Sequence, residues 1–170
     1  MVENKTAKKI GQRQAMKSAL CGLLIAYTIM GGLIYSSDMK PIKALFWIFD
    51  VDFAFNLLVG AFGLLTMAYF FGRLAGVDIL VKNKNEFVTG VKYGFLTLIS
   101  ATLIGSSIGF VQEGIDNIGI FGNPFYDYYF KPLYWVTMFG IIPVVVVGGW
   151  FGRQIKRKGA KCLAYHDASR

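Results

Sequence analysis

The chain has 170 residues, 55% of them hydrophobic and only 16% charged, with a mean hydropathy of +0.49 and a net charge of +8. A soluble domain of this size carries roughly 25% charged residues, and here charge is also shut out of four long blocks, which excludes an ordinary water-soluble fold. Two cysteines, Cys21 and Cys162, without a CxxC pair exclude a disulfide framework and a dithiol redox couple.

In chain order, Lys5, Lys8, Lys9, Arg13 and Lys17 make the start of the chain basic, and Thr6–Lys17 is helix-compatible and expected to extend the first membrane helix. The uncharged run Ser18–Tyr35 follows. At about 1.5 Å rise per residue, such a run spans roughly the 30 Å hydrocarbon core. A basic flank before an apolar run resembles a signal peptide, but the run is long and no small-x-small cleavage site follows Tyr35. It reads as a retained signal-anchor.

The loop Ser36–Asp52 contains residues 42–49, a run too apolar for free water, with Trp47 as an interfacial anchor. It reads as a short helix lying on the outer surface or as a tilted early start to the second span. The second uncharged run, Phe53–Phe71, ends in Phe71-Gly72-Arg73, with Gly76 expected at the C′ position of its helix. Asn83 followed by Glu86 matches a helix cap with its acidic partner, so the third helix is expected to start near Lys84.

Tyr93–Val111 is the third uncharged run. The loop after it carries Gly114, Gly119, Gly122, Asn123 and Pro124, then the aromatic patch 125–135 expected at a membrane interface. Leu133–Phe151 is the fourth run and ends, like the second, in Phe-Gly-Arg at 151–153. Its Val144–Val147 stretch would suggest a strand in water, but only a helix or a closed barrel satisfies the backbone in lipid, and barrel alternation is absent.

Charge gives the sidedness. Fifteen of the eighteen Lys and Arg fall in Met1–Lys17, Gly72–Lys92 and Gly152–Arg170, whereas six of the ten acids fall in the two opposite loops. By the positive-inside rule this places both termini and the middle loop in the cytoplasm, in a multi-pass plasma (inner) membrane protein. The bias argues against dual topology and makes a nucleic-acid partner a surplus assumption. The expected fold is an all-α, four-helix integral membrane bundle. It comprises two tandem transmembrane hairpins spanning 18–35, 53–71, 93–111 and 133–151, in one membrane domain. The hairpins align by pairing Lys17 with Lys92 and Phe71 with Phe151, a parallel pseudo-repeat about the membrane normal.

Four constellations are candidates for function. Thr97, Ala101, Gly105 and Gly109 recur every four residues beside Ser100 and Ser106, a small-residue face suited to helix packing or, in an oligomer, to lining a pore. Arg73 and Arg153 close the two hairpins and suit anionic headgroups or phosphate, since guanidinium binds phosphate through two parallel hydrogen bonds; simple anchoring by snorkelling also explains them. Asp50, Asp52, Glu113 and Asp116 are candidates for an outer acidic vestibule, and Pro143 for a kink in the fourth helix.

The uncharged runs contain no acid, base or histidine, the default marks of coupled transport. No histidine pair, metal-ligand spacing or nucleotide-binding glycine pattern stands in the sequence, and no base lies at membrane depth to activate Ser106. The expectation is a non-enzymatic protein without metal or cofactor. It would act as a self-associating or accessory subunit in the bilayer, with a passive oligomeric channel and an inner-leaflet headgroup-binding protein as the other readings.

Overall fold

The computed structural model describes residues 4–35, 54–115, 118 and 123–168 of the chain. All regular structure among them is helical: α1 (Asn4–Tyr35), α2 (Ala54–Leu80), α3 (Glu86–Gly109) and α4 (Lys131–Ala168). A π-helical turn, Phe110–Gly114, prolongs α3, and a second, Tyr126–Phe130, leads into α4. The stretches Ala54–Leu80, Glu86–Gln112 and Tyr126–Cys162 are long and apolar enough to cross a membrane. The valine run Val144–Val147 is helical, and α4 continues without a break through Pro143.

Glycines inside helices cost about 0.8–1.0 kcal/mol each relative to alanine in water. In these helices they let two backbones touch. α1 packs along α2, α2 along α3 and α3 along α4, while α1 meets α4 over a much smaller stretch. The buried core consists of Ala15, Ala68, Ala75, Ile79, Tyr93, Phe151 and Ile155, with Ile10, Ala19, Phe71 and Leu80 packed against it. These residues gather the N-terminal half of α1, the end of α2, the start of α3 and the C-terminal half of α4 into one base. Away from the base the apolar side chains turn outward: Phe62 and Ile142 are each 72% exposed and Leu24 68%. Such a distribution suits helices whose outer surface meets hydrocarbon rather than water.

Two expected helix ends are corrected. Gly76 does not terminate α2, which runs four residues further to Leu80. A side chain on Gly76 would collide with the carbonyl of Ala7, so the glycine is there for close approach and not for a left-handed cap. The cap of α3 is Asn85, not Asn83: its side-chain oxygen accepts from the backbone N–H of Phe87 and Val88 at 3.0 and 3.1 Å. Asn83 instead takes the left-handed conformation that turns the chain, with φ of 50°, a conformation asparagine tolerates better than most residues. The interfacial run 42–49 lies outside the described residues, as do Asp50, Asp52, Asp116 and the side chain of Glu113.

Candidate functional site

The base of the bundle is made of small residues in register. A Cβ on Gly11 would overlap the carbonyl oxygen of Gly72, and one on Gly72 would stand 2.5 Å from the Ala15 methyl and 2.9 Å from the Gly11 oxygen. The second pair of helices repeats this. A Cβ on Gly90 would overlap the Gly148 carbonyl oxygen, and one on Gly152 would overlap that of Glu86 and lie 3.4 Å from the Gly90 Cα. Close backbone approach of this kind is how helices gain van der Waals contact where no hydrophobic force separates them from lipid.

One acid is enclosed by this packing. Asp78, on α2 two turns beyond the uncharged run, is only 5% exposed. It pairs with Lys82 at 3.0 Å and Lys84 at 2.8 Å, and Tyr93 of α3 donates its hydroxyl to it at 3.1 Å. Burial works against the charged carboxylate, but the hydrogen bonds from Lys84, Lys82 and Tyr93 together outweigh it and hold the carboxyl below its ordinary value. The Lys84 backbone N–H also donates to the Asp78 carbonyl at 3.0 Å, so both ends of this residue fasten the turn between α2 and α3.

The matching end of α4 is charged and open. Arg153, Lys156, Arg157, Ala160 and Glu86 line a surface depression of about 320 Å³. Lys156 pairs with Glu86 at 2.9 Å. That hydrogen bond from Lys156 is the main reason the Glu86 carboxyl is held below its usual value. The Phe87 ring is pressed against Gly149, where a Cβ would overlap it, and the Arg153 guanidinium lies 6.0 Å from its centroid. The ring therefore gives the guanidinium a face to rest on.

The small-residue face of α3 meets α2 at its Gly105 and Gly109 end. Thr97 and Ala101 are buried, and the Thr97 hydroxyl donates to the Tyr93 carbonyl at 2.7 Å. A Cβ on Gly105 would meet the Gly60 Cα at 3.4 Å, and one on Gly109 would meet the Asn56 amide at 3.2 Å and the Tyr128 ring at 3.3 Å. Ser100 and Ser106 are half-buried beside this seam. Arg73 and Arg153 are both exposed, and Arg73 is not among the residues lining the basic depression. The far end is closed by rings: Phe110 stands 4.9 Å from Phe125 and 5.5 Å from Tyr129, whose hydroxyl donates to Ser107 at 3.2 Å.

Sequence reasoning missed Asp78 with Tyr93, and Glu86 with Lys156. A signal for the first existed: an acid inside a positive segment, followed by lysines four and six residues later. Its third partner, Tyr93, lies on the next helix and carries no local mark. The chain matches no known family model, no curated protein and no solved structure.

Proposed function

We propose that the chain is a four-span, non-enzymatic membrane subunit built from two tandem hairpins, with both termini cytoplasmic, that associates with a second copy through the open side of α1. The duplication is supported by the contacts at the base. Adding 75 to the α1 positions and 80 to the α2 positions carries Gly72 against Gly11 and Ala15 onto Gly152 against Glu86 and Gly90. The two offsets follow from pairing Lys17 with Lys92 and Phe71 with Phe151, which involves none of these contacts.

The observation that carries association is the fate of the small residues along α1. Ala7, Gly11, Ala15 and Ser18 are buried at the base, and Gly22 and Ala26 continue the same spacing up the helix. Among the described residues, a Cβ at Gly22 would meet nothing within 4 Å, and the same holds at Gly32. The glycines of α2, α3 and α4 at the base and at the Gly60–Gly105 seam are filled by neighbouring helices within the chain. A face of this kind, packed below and open above among the described residues, suits one more helix. A passive oligomeric channel lined by the Thr97–Gly109 face is the second reading, and the contacts of Gly105 with Gly60 and of Gly109 with Asn56 favour packing over it.

Cys21 is exposed next to Gly22 and supplies the test. In membranes holding Cys162→Ser protein, oxidation should yield a Cys21-linked dimer, and Gly22→Leu should abolish it. Monomer in both proteins, with no slower species in detergent, would reject self-association. Sidedness is read by whether an impermeant thiol reagent labels Cys162 only when added from the cytoplasmic side.

A further inference from the structure

The two hairpins end alike in sequence, yet Arg153 of the second borders a basic depression that Arg73 does not line, and that difference points to a ligand. Eighty residues before Lys156, Arg157 and Lys158 stand Gly76, Val77 and Asp78. In the first hairpin Gly76 is packed on Ala7 and Asp78 is neutralised by Lys82 and Lys84, leaving Arg73 without basic neighbours at those positions. In the second, Arg153 and Arg157 lie one turn apart on α4, where side chains four residues apart are neighbours. Among the described residues Lys156 has a carboxylate within 4.0 Å, Glu86, and Arg153 and Arg157 have none.

Depth in the bilayer selects the chemistry. Arg153 and Arg157 follow the uncharged run ending at Phe151 by two and six residues, hence by about 3 and 9 Å along a helix. The headgroup layer of one leaflet is roughly 5–7 Å thick beyond the hydrocarbon, so the two guanidiniums bracket the level of lipid phosphates. Guanidinium presents paired donors to phosphate oxygens, and Phe87 beneath Arg153 limits the rotamers that must be ordered on binding.

We infer that the depression between the start of α3 and α4 is a site for the phosphate group of an anionic phospholipid, held by Arg153 and Arg157, with Glu86 restraining Lys156 beside it. The inference rests on the membrane-spanning reading of the run ending at Phe151 for its depth, and it replaces the symmetric pairing of Arg73 with Arg153 by a site in the second hairpin alone.

The test uses the full chain in phosphatidylcholine nanodiscs with and without phosphatidylglycerol, reading the lipid retained on the protein by native mass spectrometry. Arg153→Gln with Arg157→Gln should lower phosphatidylglycerol retention about tenfold, and Arg73→Gln should leave it within about twofold. Glu86→Gln, which removes the competing carboxylate, should raise retention, a gain that misfolding cannot produce. Equal loss in Arg73→Gln, no loss in the double variant, or lower retention in Glu86→Gln would overturn the site. Displacement of the lipid by inorganic phosphate at comparable concentration would overturn the lipid as its source. A nanodisc offers the same lipid to both faces, so wrong sidedness leaves this result unchanged and is detected separately by the Cys162 labelling.

Discussion

The bases of the two hairpins solve the same packing problem with opposite electrostatics. At the first, Gly72 and Gly76 press onto α1, and the acid that follows them is buried against Tyr93 and two lysines. At the second, Gly148 and Gly152 press onto α3 in the same way, but the residues that follow are exposed cations, of which Lys156 pairs with Glu86. Backbone contact between helices is therefore separable from the charge placed just beyond it. The first end is invested in holding the turn between α2 and α3, and the second is left available to the surroundings.

The largest expected effect tests the shared half of this comparison. Gly72→Val and Gly152→Val each force a branched side chain into the opposing helix backbone, and overpacking of this severity costs about 3 kcal/mol or more. Thermal unfolding in detergent should fall by similar amounts for both. A large loss at one site and tolerance at the other would break the equivalence of the hairpins.

A middle-sized effect tests the half that differs. Asp78→Ala leaves the buried Tyr93 hydroxyl without its acceptor and should cost about 1–3 kcal/mol. Tyr93→Phe should cost less, because Lys82 and Lys84 still satisfy the carboxylate. The opposing pair behaves differently: Lys156→Ala, at the exposed second base, should leave the melting temperature nearly unchanged at moderate salt. A Lys156→Ala loss as large as that of Asp78→Ala would contradict the contrast.

The smallest effect is on pH. The folded-state value of Asp78 lies below its ordinary 3.8. Its contribution to stability is thus complete above the ordinary carboxylate range and is lost as pH falls through 3.8 toward the lowered folded value. Acid titration of the melting temperature should show this step in the parent and a shallower one in Asp78→Asn.

Much of the helical framework was legible because hydrocarbon enforces it. Charge cannot enter the runs 18–35, 53–71, 93–111 and 133–151 cheaply, so their limits are written in composition, and three of the corresponding helices are long and apolar enough to cross a bilayer. Helix ends were less legible. Gly76 carries the residue type of a cap but serves as a contact, and Asn83 and Asn85 both suit a cap, with geometry choosing the second.

The sequence by itself determined the all-helical, membrane-compatible class, since the exclusion of charge and the need to satisfy every backbone group in lipid act locally along the chain. Phe-Gly-Arg at 71–73 and 151–153 likewise marked the two bases without reference to any other helix. Only the tertiary structure decided which glycine meets which backbone, that Asp78 finds Tyr93 fifteen residues away, and that Arg153 borders a depression from which Arg73 is absent. Those outcomes depend on the rotation and separation of whole helices. A small residue permits close approach on any face of a helix, and packing against the neighbours selects the face that is used.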